Sequence, residues 1–287
     1  MLKKAITIGF LVVFILGFIA AWSGYHYYRN LQAERRARLQ QQAAEVNVTI
    51  IEGWTQDQIG QYFEQQGLFS KKDFLAAVSK YDTSKFPLVD ARPNKKSLEG
   101  YLFPDTYRFA KTATPDDVIT KMLSNFSARL GTLSITGTVD AASAKYNNLS
   151  FPEIITLASI IEKESGGKGS VEGPMSLQDE RDLVAGVFYN RLKIGQALES
   201  DATINYITGK DTPAASAVDI TVNSPYNTYK FAGLPPGPIC NPSLGSIKAA
   251  LYPAQTDFMY FLHQQPSGKV DFSKTFAEHT RKRLQQQ

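Results

Sequence analysis

The pattern of apolar and polar residues separates an uncharged N-terminal segment from a longer stretch of globular periodicity. Ala5 to Trp22 carries no charge over 18 residues, which is long enough for a helix to span the hydrocarbon core of a bilayer. Tyr25, Tyr27 and Tyr28 follow, as in an interfacial aromatic belt. We therefore predict a transmembrane helix within residues 1–23. A cleaved signal peptide is the alternative, but its apolar region is usually shorter and ends at a small-residue cleavage site.

The charges on either side of this segment do not orient it by themselves. Lys3 and Lys4 favour a cytoplasmic N-terminus, whereas several arginines follow on the other side. Residues 24–47 are polar and rich in good helix formers, which predicts a helical stalk. A flexible tether is the other interpretation of this stretch.

From residue 48 onwards, strand and helix patterns alternate. VTIIEG is strand-like, and Thr55 with Gln58 has the spacing of a capping box at a helix start. A second helix is expected after Ser70, which completes a small strand–helix–helix unit over 48–97. The segment LEGYLFPDTYRFA, residues 98–110, then has a strand-like aromatic pattern.

The remaining residues predict several more helices. Thr114 and Pro115 mark the start of one that should run to about Leu130. In SFPEIITLASIIEKES, Ser150 and Glu153 form another capping-box pair, and the apolar residues recur at helical spacing, which predicts a helix buried on one face. An amphipathic pattern follows over roughly 179–193.

The C-terminal third predicts less regular structure. Residues 196–242 read mostly as loop and turn, and 243–251 as a helix. FMYFL and KVDF predict a hairpin across QQPSG, followed by a last helix from Ser273. The fold class is therefore α+β: a transmembrane helix, the small unit over 48–97, and a mixed helix and strand domain over 98–287.

Composition and charge exclude several kinds of protein. The net charge is only +4 and no dense basic tract is interleaved with aromatics, so nucleic acid is not an expected partner. A single cysteine, Cys240, excludes an internal disulfide. Three histidines without metal-ligand spacing give no expectation of a metal or other cofactor. Cys240 with His263 is a weak candidate for a thiol nucleophile pair, because a lone cysteine is more often a small packed apolar residue.

The chemically informative stretch is LASIIEKESGG, residues 157–167, in which an apolar helix ends on two carboxylates. With Leu157 at zero and about 100° per residue, Glu164 falls near 340° and Glu162 near 140°, so both border the apolar stripe. Partial burial and the negative end of the helix dipole both raise the pKa of a carboxyl, as a general acid requires. A solvated helix end is the alternative for both residues.

Ser165 and Lys168 also match the S-x-x-K pattern of penicillin-recognising acyl enzymes. The S-D-N and K-T-G elements that those enzymes need are absent from the sequence, and Ser165 closes a predicted helix where the pattern requires it to open one. We therefore interpret this match as chance.

Several blocks in order along the chain resemble one family, the membrane-anchored endolytic murein transglycosylases (the MltG or YceG-like family). The matching blocks are EGYLFPDTYRF (99–109), LASIIEKES (157–165), ERDLVAGVFYNRLKIGQALESDATINY (180–206), NSPYNTY (223–229) and GLPPGPI (233–239), with FSKTFAEH (272–279) near the end. The resemblance covers the chain from about residue 48, with the apolar segment where the family has its anchor.

By this resemblance, Glu164 is the catalytic residue, because the family's catalytic glutamate directly precedes Ser or Thr in E-K-E-[ST]. Protonated Glu164 would donate to the bridging oxygen of the MurNAc–GlcNAc β-1,4 bond in peptidoglycan. The 2-acetamido group would stabilise the oxocarbenium-like centre, and ionised Glu164 would then deprotonate the 6-hydroxyl to give a 1,6-anhydro end. The expected glycan-contacting residues are Ser165, Asn190, Asp201, Tyr226, Asn227 and Tyr229.

The resemblance also implies a location and partners. It implies a single-pass protein of the cell (inner) membrane, with the catalytic domain outside the cytoplasm, a LysM-like glycan-binding unit over 48–97, and a role in ending or trimming nascent strands beside peptidoglycan synthases. Three departures concern glycan binding, and the first is that the region before the catalytic domain is short and holds one small unit where relatives can carry more. The family often has L-Q-[ST]-D-P-T where this chain has LESDAT (198–203), and residues 166–178 are longer than expected. A muramidase and a non-catalytic peptidoglycan-binding scaffold are the alternative functions.

Overall fold

The computed structural model describes residues 2–135, 145–165, 176–210, 215–264 and 269–285, without the side chains of 2–15, 37–43 and 145–146. Helices and short strands alternate within these ranges, as expected for an α+β protein. The helices are α1 (Leu2–Ala43), α2 (Gln56–Gln65), α3 (Lys71–Lys80), α4 (Pro87–Asp90), α5 (Pro115–Gly131), α6 (Phe151–Glu164), α7 (Leu177–Lys193), α8 (Asp201–Thr208), α9 (Leu244–Leu251) and α10 (Phe276–Leu284). The strands are β1 (Glu45–Thr49), β2 (Thr106–Ala110), β3 (Lys145–Tyr146), β4 (Leu149–Ser150), β5 (Tyr260–His263) and β6 (Val270–Ser273).

The chain forms two compact units, of which the first comprises Met1–Asn47 with Arg108–Lys111. Helix α1 makes up most of it, and near its end the Lys111 N–H donates to the Ala44 carbonyl at 2.8 Å. The predicted stalk is thus helical as far as Ala43. Among the residues that the structure describes, no helix combines the length and apolarity needed to cross a membrane.

The second unit comprises Val48–Tyr107 and Thr112–Gln287. Its first helices confirm the predicted start signals. Thr55 and Gln58 form a reciprocal capping box on α2, and the Ser70 side chain accepts the Asp73 N–H at the start of α3. Phe63 of α2 packs against Phe74 of α3 with ring centroids 5.2 Å apart.

The segment over 98–110, predicted as strand-like, is a strand only at Thr106–Ala110. The preceding residues are irregular because Gly100 adopts a left-handed φ of +88°, and a Cβ there would lie 2.5 Å from Pro238. Gly100 thereby allows the two segments to approach closely. The buried Tyr101 beside it packs edge-on against Phe126 of α5, with centroids 5.5 Å apart.

Helix α6 is the centre of the second unit. It begins in the predicted capping box of Ser150 and Glu153. Its residues from Ile154 to Ile161 are all buried, so the expectation of burial on one face was wrong. Helices α7, α8 and α9 pack against it together with the 239–240 segment, and even Ser159 is enclosed, accepting the Ile239 N–H at 3.0 Å.

The stretch 196–242, predicted mostly as loop, contains α8 and a 3-10 turn at Asp219–Thr221. Helix α8 has recognisable ends: Ser200 occupies its N-cap position, and Gly209 ends it in the left-handed conformation at φ +68°. Its sequence, DATINYIT, is rich in β-branched residues with modest helix propensity, so its packing on α6 stabilises it.

The predicted C-terminal hairpin is confirmed. Strand β5 pairs antiparallel with β6, with Tyr260 opposite Ser273 and His263 opposite Val270. Residues 265–268 of the predicted turn lie outside the described residues. Phe261 packs edge-on against Phe188 of α7, with centroids 5.7 Å apart, which attaches the hairpin to the helical core.

Asn241 joins three segments that are distant in sequence. Its Oδ1 accepts the Leu102 N–H at 2.9 Å, and its Nδ2 donates to the Trp54 carbonyl at 2.9 Å and to Glu99 at 3.1 Å. Its backbone also exchanges hydrogen bonds with residues 53 and 54. This fully buried amide therefore fixes the start of the small unit against the rest of the core.

Candidate active site

Glu164 is the last residue of α6 and is half-buried. The next residue, Ser165, ends the helix: its backbone N–H and its hydroxyl both donate to the Ile161 carbonyl, at 3.0 and 2.6 Å. The hydroxyl of Ser165 thus contacts its own helix and not the carboxyl of Glu164. The motif residues 166–168, including Lys168 of the S-x-x-K match, lie outside the described residues.

The carboxyl of Glu164 meets the N-terminal end of α8. The Ser200 hydroxyl donates to Oε1 at 2.5 Å, and the Ala202 backbone N–H approaches the same oxygen at 3.5 Å. The residues from Leu198 to Ala202, which we call the 198–202 turn, therefore provide the polar wall beside the carboxyl. The sequence did not predict Ser200 as a site residue, because the stretch 196–242 was expected to be mostly loop and no helix start was expected after this serine.

The 198–202 turn is held from two sides. The Glu199 and Ser200 N–H groups donate to the backbone and hydroxyl oxygens of Thr228, both at 3.1 Å. From α7, buried Arg191 donates to the Leu198 carbonyl at 2.7 Å. Glu199 itself has a φ of +51°, a conformation that costs a non-glycine residue energy and that the surrounding bonds maintain.

Burial raises the pKa of Glu164, because removal from water disfavours the ionised carboxylate. The Ser200 hydrogen bond, the nearby His263 and the Ala202 N–H act in the opposite direction, and the neighbouring Asp201 adds to the increase. The result is a carboxyl whose pKa lies above that of an ordinary glutamate. Such a group retains its proton closer to neutral pH, as a general acid must.

Asp201 and Tyr229 lie together at this site. The Tyr229 hydroxyl donates to Asp201 Oδ1 at 2.7 Å, and both side chains influence the electrostatics of the same region. Burial raises the pKa of Tyr229, so its hydroxyl stays protonated and able to donate. The structure thus brings Glu164, Asp201 and Tyr229 together, as predicted side chains of one site.

The two predicted asparagines have their amide groups engaged with backbone. Asn190 Nδ2 donates to the Thr256 and Phe258 carbonyls, at 2.7 and 2.9 Å. Asn227 is buried; its Nδ2 donates to two carbonyls of the 220–222 turn, and its Oδ1 accepts the Tyr229 N–H at 3.0 Å. Asn190 therefore links α7 to the segment that leads into β5, and Asn227 holds the loop that carries Tyr229. Sugar contacts from either remain predictions.

Tyr226 lies beside the second turn of α8. Its ring packs on Tyr206 with centroids 5.1 Å apart. It lines a small recess together with Pro236, Pro238 and the buried Glu99. Burial raises the pKa of Glu99 to about 8, although this carboxyl accepts hydrogen bonds from the Gln56 N–H and from Asn241.

Glu162, the other candidate carboxylate, faces helix α9. Its Oε2 accepts from the Ser243 N–H, the Ser243 hydroxyl and the Ser246 hydroxyl, at 3.0, 2.5 and 2.7 Å. Its Oε1 lies 3.6 Å from Arg181. This carboxylate is fully occupied in joining α6 to the start of α9, whereas Glu164 has an oxygen with no hydrogen-bond partner among the described residues.

The other chemistries considered from the sequence find little support in the geometry. Cys240 is buried and donates to the Ser159 carbonyl at 3.3 Å, and burial raises its pKa well above normal, so its thiol is not poised as a nucleophile. Within the described ranges, no group of three or more His, Cys, Asp or Glu side chains is placed to hold a metal ion.

Residues 23–285 match the family model described as the YceG-like family. The chain belongs to the YceG-like family. The motif blocks noted in the sequence all lie inside this range, and the family assignment agrees with the resemblance stated from them. The range also includes every helix and strand that surrounds the Glu164 carboxyl.

Two named relatives are about a third identical to the chain over the aligned residues. An endolytic murein transglycosylase of Bacillus subtilis (strain 168) is 35% identical over 245 residues, covering 82% of this chain and 63% of the relative. One from Streptococcus pneumoniae (strain ATCC BAA-255 / R6) is 36% identical over 259 residues, covering 82% of this chain and 43% of the relative. The chain therefore spans only about half the length of these relatives.

A crystal structure of a YceG-like protein from Listeria monocytogenes resembles the fold. It superposes with a TM-score of 0.68 at 32% sequence identity, covering 82% of this chain and 75% of that one. The agreement extends over most of the chain, so the YceG-like fold is shared and not only the short motifs.

Proposed function

We propose that this chain is a peptidoglycan lytic transglycosylase in which Glu164 is the general acid and then the general base. The observation that carries the proposal is the half-buried carboxyl at the end of α6, with a raised pKa and a hydroxyl donor at 2.5 Å. The names of the relatives add support, since two of them are called endolytic murein transglycosylases.

The chemistry follows from having one carboxyl in two protonation states. Protonated Glu164 donates to the oxygen of the MurNAc–GlcNAc β-1,4 bond as that bond breaks. The 2-acetamido oxygen of the sugar stabilises the positive charge that develops at C1, so a second catalytic carboxylate is not required. Ionised Glu164 then takes the proton of the 6-hydroxyl, whose oxygen bonds to C1 and closes the 1,6-anhydro ring. The proton count balances without water.

Asp201 and Tyr229 are proposed to bind the glycan beside the reacting bond. Their hydroxyl–carboxylate pair, with an O–O distance of 2.7 Å, offers one acceptor and one aromatic face to a sugar. Tyr226, on the same loop, is proposed to contact a sugar farther along the strand. Three further side chains are proposed to support the glycan-binding surface mainly by hydrogen-bonding to the backbone that forms it: Ser165, Asn190 and Asn227.

Digestion of purified sacculi tests the proposal. Full-length protein in detergent is compared with Glu164→Gln and with a control, Asp116→Asn, an exposed carboxyl on α5. We expect muropeptides lighter by one water from the wild type and the control, and a rate lower by about 10²–10⁴ in Glu164→Gln. Hydrated reducing ends would instead indicate a muramidase. Sacculus binding without soluble products from any form would indicate a non-catalytic scaffold.

We also propose attachment to the cell membrane through α1, with the second unit outside the cytoplasm. The uncharged stretch Ala5–Trp22 supports this. Cleavage would then occur near the membrane, where nascent strands emerge beside peptidoglycan synthases, and the strand–helix–helix unit over 48–97 would bind glycan as a LysM-like module. Fractionation of cells with an alkaline carbonate wash tests the attachment: recovery of the full chain in the washed supernatant would contradict it.

A further inference from the structure

Two hydrogen-bond donors converge on one of the two carboxyl oxygens of Glu164. The Ser200 hydroxyl and the Ala202 N–H both point at Oε1, at 2.5 and 3.5 Å. No hydrogen bond reaches Oε2 from the part of the chain that the structure describes. The two oxygens of this carboxyl are therefore chemically different before any substrate binds.

The hydroxyl of Ser200 does not cap helix α8, although Ser200 is the N-cap residue. Ser200 occupies the N-cap position of α8, where a serine side chain normally accepts an N–H of the first turn, but its side chain makes no cap hydrogen bond. Glu164 Oε1 takes the place of that cap, since it receives the N–H of Ala202 in the first turn of α8. Serine and backbone thus act together on one carboxyl oxygen.

We propose that Ser200, assisted by the Ala202 N–H, holds Oε1 of Glu164 as a permanent acceptor, so that the proton exchanged with the glycan is carried by Oε2. A protonated carboxyl has one O–H and one carbonyl oxygen, and donors favour the carbonyl oxygen. The inference rests on the proposed function, because that function names the glycan as the group that exchanges a proton with Glu164. Ser200 is a positioning residue in this scheme, because it acts through Glu164.

The same contact sets the pH range over which Glu164 works. The Ser200 hydroxyl stabilises the ionised carboxylate, against the burial that raises its pKa. The other charged or titratable groups that influence or adjoin this carboxyl are Asp201 of α8, His263 of β5, Arg191 of α7, Tyr229, and Glu162 and Lys163 of its own helix. Replacing Ser200 leaves all of these charges in place, so any pH shift reports the lost hydroxyl.

The first test measures the proton equilibrium of Glu164 without reference to activity. The side-chain carboxyl is followed by carbon-13 NMR titration of glutamate-labelled full-length protein in detergent, with Glu164→Gln used to assign the signal. In Ser200→Ala we expect the pKa of Glu164 to rise by about one unit, because one hydrogen bond to the charged form is lost. Ser200→Thr keeps the hydroxyl and should restore the wild-type value.

A matched control separates this effect from a general loss of packing. Ser165→Ala removes a neighbouring hydroxyl that bonds to the Ile161 carbonyl, so it should leave the pKa of Glu164 unchanged. An unchanged or lower pKa in Ser200→Ala would overturn the proposal, as would an equal shift in Ser165→Ala. If Ser200→Ala does not fold, Ser200→Thr decides the question. A rise in the pKa of Glu164 in this variant, although the hydroxyl is kept, would also contradict the proposal.

A second measurement identifies the oxygen. In Glu164→Gln, the two donors require the amide carbonyl at the Oε1 position, so the NH2 group must occupy the Oε2 position. NOEs from the new side-chain amide protons should then be weak to Ser200 and absent to the Ala202 N–H. Strong NOEs from these amide protons to both groups would overturn the assignment of the proton to Oε2.

Kinetics connect the inference to the reaction and keep the two hypotheses separate. Activity needs protonated Glu164, so it falls as pH rises through the pKa, and this basic limb should move upward by about one pH unit in Ser200→Ala. Turnover should fall about tenfold with little change in KM. If Glu164→Gln retains activity, the proposed function fails, whereas the NMR titration still decides the role of Ser200.

Discussion

Glu162 and Glu164 stand two residues apart at the end of one helix and have opposite environments. Glu162 has donors on both sides: three hydrogen bonds from Ser243 and Ser246, and the guanidinium of Arg181 at 3.6 Å. Glu164 has one hydroxyl and one long N–H contact, both on the same oxygen. The carboxylate of Glu162 is paired with a guanidinium and accepts three hydrogen bonds. Burial raises the pKa of Glu164, which has fewer donors.

The difference shows what makes a carboxyl structural or reactive in this fold. Burial is similar in kind for both, since both face the interior of the second unit. The number and charge of the donors differ, and these come from segments 19 to 84 residues away in sequence. A carboxylate with enough donors stabilises the fold, whereas one with too few keeps a proton that it can give away.

The largest expected effect is the loss of the Glu162 bonds. Glu162→Ala should lower the free energy of unfolding by about 3–5 kcal/mol, because it leaves half-buried Arg181 with only Glu52, at 3.8 Å, as an ion-pair partner among the described residues, and removes the acceptor at the start of α9. Urea denaturation of the full chain measures this. Glu164→Gln should change the stability by less than about 1 kcal/mol. The comparison breaks if the two substitutions destabilise the protein equally.

A third buried carboxyl, Glu99, extends the comparison, because its raised pKa makes its contribution to stability depend on pH. Its folded pKa is about 8 against an ordinary 4.5, so the folded state holds a proton that the unfolded state has lost. The contribution of Glu99 to stability is therefore largest below pH 4.5 and falls by up to about 1.4 kcal/mol per pH unit until pH 8. Glu99→Gln should remove this contribution and leave the smaller slope that comes from the raised pKa of Glu164.

Denaturation midpoints between pH 5 and 8 provide the measurement for Glu99. The exposed Glu64→Gln variant serves as the control and should retain the wild-type slope. A wild-type stability that stays constant across this window would show that the donors from Gln56 and Asn241 satisfy Glu99 as fully as Glu162 is satisfied.

The smallest expected effect concerns the second donor to Glu164. Ala202→Pro removes the N–H at 3.5 Å from Oε1, within the first turn of α8 where proline is tolerated. Because this contact is long, the basic limb of the pH–rate profile should rise by only about 0.2–0.4 units, less than in Ser200→Ala. A shift as large as that of Ser200→Ala would mean that the backbone and not the hydroxyl controls Glu164.

Local signals in the sequence predicted the local structure well. The capping pairs at Thr55, Thr114 and Ser150 each mark a real helix start, because a capping box involves residues only three apart. The hairpin and the helix from Leu244 were predicted for the same reason. Helix α8 was missed, since its β-branched residues lie in a stretch dense in Pro, Gly and Asn, and tertiary packing outweighs that composition.

Only part of the candidate site could be predicted from the sequence. Angular position on α6 could not separate Glu162 from Glu164, and the family resemblance assigned the catalytic role to Glu164. What distinguishes the two carboxyls physically is Ser200 on one side and Ser243 with Ser246 on the other, and neither set is adjacent in sequence. The engagement of Asn190 and Asn227 with backbone carbonyls was equally invisible, because it depends on loops folding back on themselves.

Asn241 has a consequence for the order in which the molecule is completed. Its partner Leu102 precedes it by 139 residues, and its partner Trp54 by 187. At a synthesis rate of about 5–20 residues per second, the Leu102 N–H waits roughly 7–28 s for the amide that binds it. The oldest part of the second unit therefore waits for a residue synthesised late, and a nascent chain stopped before residue 241 leaves Glu99 and Trp54 without this partner.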